Sequence, residues 1–466
     1  MAFTPPYPTP HKSKSSFFLR FLRGWHSWLH VLFEKSYCMK MGHVHQRGMD
    51  VYMVNEPSWV RKILVENASL YPKHALMHQI LEPLLGQSIF TTNGPVWERQ
   101  RRLVDQAFAQ ARLKAVFPLM NDAVCALLER LDPVANGESF EVDGEMTRVT
   151  ADVMFRTILS ETLEQVDATS IYEAFLDFQN HAQRAAVLLM YRLPAFLPRR
   201  ACRRSALKIR SILSAIIAKR FQALDRGEPL PQDLLTGLME AVDPVEGNRF
   251  TYAEIVDQVC MLFLAGHETS ASALSWSLYL LSHSPDIQDR MLSEITREVA
   301  DRPFQYGDTR KLRLVWNGFR EALRLYPPVG FFVRAAAETH VIRDKEVGKG
   351  CPVLISPWLM HRHRELWERP DEFDPDRFDT VEGKESARCA FIPFSAGPRV
   401  CVGAAFAAQE AVLALACMLR KYEVLPDEGH TPEPVGRVTI RSGNGIRVRL
   451  KRRESPPVAA PCSNLA

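Results

Sequence analysis

Apolar residues recur every three to four positions through most of residues 113–295, a spacing that places them on one face of successive α-helices. Residues 251–284 carry one long helical pattern, which Pro285 ends. Further helices are predicted from Pro95 to about residue 110, over residues 311–326 and over residues 404–420. Helices are therefore expected to form most of the chain.

A second pattern predicts strands. Short runs of β-branched and aromatic residues, broken by Gly and Pro, occupy residues 329–358 and predict a small sheet. Residues 50–54 predict another strand, residues 57–66 predict a helix, and residues 366–400 are expected to be irregular. The chain is expected to be mainly α with a minor β portion.

The same pattern sets the expected domain boundaries. No Pro-, Gly- or Ser-rich linker divides the middle of the chain, so residues 41–452 are predicted to form a single large domain. Residues 1–40 are predicted to be an N-terminal arm that is loose over residues 1–16 and then forms an amphipathic helix. Residues 453–466 are predicted to be a disordered tail.

Composition narrows the class of protein. The 466 residues are 46% hydrophobic and 24% charged, which is typical of a globular chain. The net charge of +4 is too small to indicate nucleic acid as the main partner. The nine cysteines show neither a CxxC pair nor the spacing of a zinc site. This usage favours a reducing compartment, and a cytoplasmic location is expected.

The sequence over residues 17–33, FFLRFLRGWHSWLHVLF, does not predict a membrane-spanning anchor. Arg20, Arg23, His26 and His30 interrupt a run that would need about 20 apolar residues to cross a bilayer. Two interpretations remain for this segment. It is either the first helix packed on its own domain or a basic amphipathic segment that lies peripherally on a membrane surface.

The stretch FSAGPRVCVG, residues 394–403, presents one thiol just before the last apolar helix. Gly397 and Gly403 permit tight turns. A cysteine at a helix start feels the positive end of the helix dipole, which is expected to lower the pKa of Cys401 and favour the thiolate. Such a thiolate is either a nucleophile or a metal ligand, and a buried structural cysteine is the simpler alternative.

This spacing resembles the F-x-x-G-x-R-x-C-x-G haem loop of the cytochrome P450 family. Three other segments support the resemblance. AGHETS, residues 265–270, is similar to the family's oxygen-binding helix. Glu321 and Arg324 form an E-x-x-R pair, and Arg377 lies in a later FDPDRF stretch. Trp97 and Arg101 lie one helical turn apart. The resemblance covers residues 50–449.

The resemblance implies a haem b cofactor between the long central helix and the cysteine loop. Cys401 would be the axial iron ligand, Thr269 would hydrogen-bond dioxygen and Glu268 would help deliver protons. The remaining implied roles are haem contacts, a structural trio and a substrate pocket. The contacts with the haem propionates would be Trp97, Arg101, Arg334 and Arg399, with His74 as a weaker candidate, and the contacts around the ring and the sulfur would be Phe394, Gly403, Ala265 and Gly266. The structural trio would be Glu321, Arg324 and Arg377. The substrate pocket would be formed by Val329, Phe331, Phe332 and Leu262, with Gly330, Ile89 and Phe90 beside them.

The implied reaction is a monooxygenation of a hydrophobic small molecule such as a terpenoid, steroid or fatty acyl chain. It consumes dioxygen and two electrons, which a ferredoxin or a flavoprotein reductase is expected to supply. The basic stretch from Arg99 to Lys114 is a candidate docking face for that partner. A peroxygenase or hydroperoxide isomerase on the same frame is the alternative enzyme, and a non-enzymatic haem sensor or a cysteine hydrolase is a more distant one.

Overall fold

Helices dominate the computed structural model, which describes residues 3–12, 17–46, 48–163 and 168–454. The α-helices within these residues, in chain order, are α1 (Phe17–His26), α2 (Pro57–Arg61), α3 (Ala75–Leu85), α4 (Gly94–Ala107), α5 (Gln110–Leu131), α6 (Val142–Met154), α7 (Ala168–Met190), α8 (Phe196–Asp225), α9 (Leu234–Glu240), α10 (Tyr252–Ser282), α11 (Pro285–Val299), α12 (Arg313–Leu325), α13 (Pro357–Met360), α14 (Val381–Ala390) and α15 (Ala404–Lys421). The prediction of a mainly α fold is confirmed.

Four small sheets account for the β portion of the described residues. Their strands are β1 (Met41–Gln46), β2 (Met49–Val54), β3 (Asn136–Glu141), β4 (Phe332–Ala335), β5 (His340–Ile342), β6 (Lys345–Val347), β7 (Pro352–Ile355), β8 (Tyr422–Pro426), β9 (Pro434–Gly436), β10 (Ile440–Ser442) and β11 (Arg447–Arg452). The largest sheet has the order β1-β2-β7-β4, in which β2 runs parallel to β7 and the other pairs are antiparallel.

Helix α10 is the axis of the core. It begins at a capping box, in which Thr251 and Glu254 satisfy each other's backbone N–H groups. It packs against α6, α8, α12 and α15. From residue 258 to residue 282 every residue is buried except Leu264, Ala265, Gly266 and Thr269, which are half-buried. The middle of an otherwise buried helix is therefore the part that the surrounding elements leave partly accessible.

The N-terminal residues differ from the prediction of a loose arm. Residues 3–12 pack on the domain: the Phe3 ring stacks on His283 with centroids 4.2 Å apart, and the Tyr7 hydroxyl donates to Asp371 at 3.2 Å. Pro-rich composition lowers the conformational freedom of this segment, and two aromatic side chains supply the contacts that order it. Residues 13–16 and the tail from residue 455 lie outside the described residues.

The expectation of irregular structure over residues 366–400 is wrong for one segment. Helix α14 lies within it and begins where the Thr380 hydroxyl accepts a hydrogen bond from the N–H of Gly383 at 3.0 Å. Its exposed, mostly polar sequence has no apolar stripe wide enough to mark a helix. The one sequence feature that could have predicted the start of this helix is Thr380, a residue type favoured at helix N-caps.

Candidate haem site

The cysteine loop is fixed by its own backbone. The N–H of Cys401 donates to the carbonyl of Phe394 at 2.9 Å, which closes residues 394–401 into a tight loop. Gly397 has φ +71°, and a Cβ there would lie 2.0 Å from the carbonyl oxygen of Leu64. Only glycine fits this contact, because a side chain would collide with backbone. Gly403 then caps the N-terminus of α15.

Cys401 is a free cysteine on this loop. The surrounding protein raises the pKa of its thiol, mainly by desolvation, while the N–H of Gly403 and the charge of Arg101 act in the opposite direction. The expected lowering of this pKa by the helix dipole is therefore outweighed. A metal ion bound to the sulfur would deprotonate it directly, so the loop needs no thiolate of its own to act as a ligand.

On α10, the Thr269 hydroxyl donates to the carbonyl of Ala265 at 2.6 Å. This bond orients the hydroxyl. It also competes with the backbone hydrogen bond of the helix for the carbonyl of Ala265, within the half-buried stretch. Gly266 serves the helix packing: a Cβ there would lie 2.5 Å from the sulfur of Met154 on α6. Its missing side chain therefore allows close approach of α6, and its predicted contact with the flat cofactor stays a prediction.

Glu268 is buried and held by the C-terminal hairpin of β9 and β10. The Arg441 guanidinium donates to both carboxylate oxygens, at 2.9 and 2.8 Å, and the Thr439 hydroxyl donates to Oε1 at 2.7 Å. Burial alone would raise the pKa of Glu268, but the charge of Arg441 outweighs it and holds the pKa at about 2. The carboxylate is therefore ionised at neutral pH.

A cluster of basic side chains, in which Arg334 is buried and Lys73 and Arg399 are half-buried, lies near Trp97. The Arg399 guanidinium lies 4.9 Å and Lys73 Nζ 5.6 Å from the Trp97 ring centre, and both Arg334 and Trp97 are buried. Burial, and then Arg399, Arg334 and Arg101, lower the pKa of Lys73 to about 6. Burial and Arg399 lower the pKa of Arg334 to about 10.

This cation cluster fits the carboxylates of a ligand. The charges that act on Lys73 and Arg334 are all positive, and Arg399 Nε is buried without a hydrogen-bond partner among the described residues. Buried cations are costly unless an anion pairs with them. Arginines bind carboxylates through two parallel hydrogen bonds, so the donor set suits the two propionates expected of haem b.

Arg101 contacts the cysteine loop itself. Its guanidinium donates to the carbonyl of Val400 at 2.6 Å and to Asp105 at 2.8 Å. His74 caps α3, where its Nδ1 accepts from the N–H of Leu76 at 3.1 Å. The structure thus gives Arg101 a role in holding the loop beside Cys401, and His74 a local structural role.

The expected pocket residues differ in burial, and their grouping into one pocket stays a prediction. Leu262 and Ile89 are buried, and Val329 and Phe331 are half-buried. The Phe331 ring meets the edge of Trp28, with centroids 5.2 Å apart. Among the neighbouring residues, Phe332 lies 6.0 Å from the Arg334 guanidinium, on the side of the cation cluster, and Phe90 is 39% exposed.

The structural trio comes together in the core. Glu321 accepts from Arg324 at 2.7 and 2.8 Å and from Arg377 Nε at 2.9 Å. Glu321 and Arg324 are fully buried. Arg324 also donates to the carbonyls of His361 and Pro370 at 2.8 and 2.6 Å, so the trio ties α12 to the loops that lead to the cysteine.

Sequence reasoning missed three residues of this region: Lys73, Arg441 and Glu410. Lys73 directly precedes His74, and the same stretch that suggested His74 as a haem contact could have suggested Lys73 as well. Arg441 and Glu410 carry no local signal, because they act on α10 from distant segments. Glu410 accepts from the Ser270 hydroxyl at 2.6 Å, and burial raises its pKa to about 8.

No helix within the described residues combines the length and apolar character needed to cross a membrane.

Comparison with known proteins identifies the family. The family model for cytochrome P450 matches residues 5–442. The chain is 32% identical over 399 residues to cyclooctatin synthase from Streptomyces melanosporofaciens, covering 84% of each chain. It is 30% identical over 409 residues to cytokinin hydroxylase from Arabidopsis thaliana (85% and 78% covered) and 27% identical over 413 residues to cytochrome P450 4V2 from Homo sapiens (81% and 76% covered). The chain therefore belongs to the cytochrome P450 family of haem-thiolate monooxygenases, and its cofactor is haem b with an axial cysteine thiolate.

Proposed function

We propose that the protein inserts one oxygen atom of dioxygen into a hydrophobic substrate, with Cys401 as the haem ligand. The observation that carries this proposal is the placement of Thr269. Its hydroxyl lies on the half-buried stretch of α10, next to the ion-paired Glu268. Helix α10 packs on α15, and α15 begins directly after the Cys401 loop. Cytokinin hydroxylase, one of its relatives, is named for a reaction of this type, which supports the proposal.

The residues of this chain have distinct tasks in the proposed reaction. Bound haem b supplies the activation of dioxygen, which an axial thiolate favours. Thr269 donates its own proton to Ala265, so its oxygen remains free to accept a proton in transit. Glu268 is the proposed proton relay; because Arg441 holds it ionised at neutral pH, it can accept a proton from solvent only while that ion pair is open. Lys73, Arg334 and Arg399 hold the propionates, and Trp97 packs against them.

The substrate class follows from the pocket walls. Leu262, Val329, Phe331 and Ile89 are apolar, and such a wall selects ligands by shape and apolar area. We assign a terpenoid, steroid or fatty acyl substrate to this pocket.

Electrons come from a separate ferredoxin or flavoprotein reductase in this proposal. The basic stretch first considered for docking is mostly ion-paired within the chain: Arg102 binds Asp243 at 2.6 Å and Arg99 binds Glu254 at 2.6 Å. Paired charges attract an acidic partner weakly. We therefore propose that the partner docks on the exposed side of the cysteine loop, around Pro398 and Val400.

We assign the protein to the cytoplasm, in peripheral contact with the membrane. Helix α1 contacts the turn between α7 and α8 through the Phe21–Tyr191 ring contact at 5.0 Å. Leu22 on α1 is 46% exposed, and Phe196 and Leu197 on α8 are 69% and 66% exposed. The exposed basic residues that follow on α8 are Arg199, Arg200, Arg203 and Arg204. Apolar side chains flanked by arginines suit an anionic lipid surface.

This location predicts that the protein sediments with vesicles that contain anionic lipid. Replacing Phe196 and Leu197 together with serine should weaken binding by about tenfold or more, because the insertion of two large apolar side chains is lost. Replacing Leu207, which is 59% exposed further along α8, is the matched control and should change binding little. Equal sedimentation of the parent and the double variant would contradict the proposed contact.

Replacement of Thr269 tests the proposed reaction. With reductant, redox partner and dioxygen, Thr269→Ala should lower product formed per electron pair by about tenfold or more, the low end of what a positioned proton-transfer group contributes. Hydrogen peroxide should be released instead. The measurement compares consumed reductant with product and peroxide, using a substrate found by a Soret-shift screen of fatty acids, steroids and terpenoids.

Ser277→Ala is the matched control. The Ser277 hydroxyl makes the same type of bond on α10, to the carbonyl of Ala273 at 2.7 Å, and should leave the product yield within about twofold. An unchanged yield in Thr269→Ala would contradict the role of Thr269. If the parent turns over with peroxide alone and never with reductant and dioxygen, the peroxygenase or isomerase alternative replaces the proposal.

A further inference from the structure

The N-terminal segment after α1 reaches two loops that adjoin the proposed substrate pocket. Trp28 is half-buried, and its indole Nε1 donates to the carbonyl of Arg437 at 3.2 Å. The preceding Ser27 is fully buried, and its Oγ accepts from the N–H of Gly436 at 2.9 Å. These bonds attach the segment to the hairpin formed by β9 and β10.

The Trp28 ring is wedged between two glycines. A Cβ on Gly330 would lie 2.1 Å from the ring, and a Cβ on Gly436 would lie 2.6 Å from it. A side chain at either position would collide with the indole, so the fit depends on the absence of both. The ring also meets Phe331 edge to face, with an angle of 83° between the planes.

The hairpin in turn contacts the reactive part of α10. Thr439 and Arg441 bind Glu268 beside Thr269. The N–H of Ile440 donates to the carbonyl of Pro328 at 2.9 Å, which attaches the hairpin to the segment that contains Phe331. Trp28 thus lies behind two pocket segments that are already joined to each other and to α10.

We propose that Trp28 is a specificity-determining residue: its ring supports Phe331 from behind and holds it against the β9–β10 hairpin, and so sets the size of ligand that the haem pocket admits. The inference rests on the proposed function, because it concerns the pocket assigned there. Trp28 acts through Phe331 and the hairpin and is a positioning residue.

Loss of the indole should widen the pocket selectively. In Trp28→Ala the Phe331 ring loses its edge-to-face partner and gains the vacated volume behind it, away from a ligand. Bulky ligands should then bind better, while a small ligand that needs no such space should be unaffected. Trp28→Phe keeps most of the wedge and should behave like the parent.

The test measures Soret-shift dissociation constants of the haem-loaded protein for two probes, imidazole and the bulky N-tritylimidazole. The ratio of the bulky to the small dissociation constant should fall by about threefold or more in Trp28→Ala, the scale of one lost aromatic contact. It should stay within about twofold in Trp28→Phe and in the control Trp316→Ala, whose ring packs on Phe319 away from the pocket.

The outcomes separate the inference from the proposed function. An unchanged ratio in a Trp28→Ala protein that keeps the parent's haem band and melting temperature would overturn the inference alone. If that variant does not fold, Trp28→Leu, which fills the site but is too short to span both glycines, should lower the ratio in the same direction, and an unchanged ratio there would overturn it too. A parent protein without a haem band would overturn both.

Discussion

Replacing Cys401 with alanine should abolish monooxygenase turnover completely while leaving the polypeptide folded. The thiol is the group that the loop presents for iron, and alanine offers no ligand atom. The loop itself is held by other bonds, since the Cys401 N–H binds Phe394 and Arg101 binds Val400. Alanine keeps the backbone and Cβ of this position and removes only the sulfur, so the free energy of unfolding of the haem-free chain should change by about 1 kcal/mol or less.

The measurement pairs turnover with the absorption spectrum of the reduced carbon-monoxide complex. Cys401→Ala should lose the thiolate form of that spectrum. The matched control is Cys389→Ala, which removes an exposed free thiol from α14, twelve positions earlier in the chain. The control should keep both spectrum and turnover. A Cys401→Ala protein with the parent's spectrum would show that another residue binds the iron.

Replacing Glu321 with glutamine should destabilise the folded protein by about 3–5 kcal/mol, because it leaves the buried charges of Arg324 and Arg377 without their anion. The measurement is urea-induced unfolding of the haem-loaded variant and parent. Glu385→Gln is the matched control, because Glu385 pairs with Arg388 at 2.9 Å on the exposed surface of α14. That surface pair should contribute at most about 1 kcal/mol.

The same carboxylate makes stability depend on pH. Burial opposes ionisation of Glu321, but the charges of Arg324 and Arg377 outweigh it, so the pKa in the folded state is lowered. A group with a lowered folded-state pKa stabilises the protein above its unfolded pKa, about 4.3 for glutamate, and loses that contribution as the pH falls through the folded value. The parent should therefore lose stability in acid more steeply than Glu321→Gln. Equal stability and equal acid sensitivity would contradict this role.

Features that depend on nearby residues could be predicted from the sequence. The helical period and the following proline located α10 to within two residues at each end. The spacing of glycines around Cys401 indicated a tight loop, which the hydrogen bond from the Cys401 N–H to the Phe394 carbonyl closes. Each of these features is determined by chain geometry over a few turns, which is why spacing alone carries the information.

Features that depend on distant residues could not be predicted. Arg441, on a hairpin 173 positions away, pairs with Glu268 and keeps it ionised. Lys73 lies close enough to Arg399, far along the chain, for its pKa to be lowered. Phe3 orders a Pro-rich segment through a partner near the end of α10. No period or motif in the sequence connects such pairs, because long-range packing decides which charges and rings meet.

X-ray absorption at the iron edge of the purified haem-loaded protein tests the central claim most directly, because it identifies the atoms bound to iron. The parent should show one sulfur ligand beside the porphyrin nitrogens, and that sulfur should be absent from Cys401→Ala and present in Cys389→Ala. A parent whose iron is bound only by nitrogen and oxygen, or a sulfur ligand that survives in Cys401→Ala, would contradict the account.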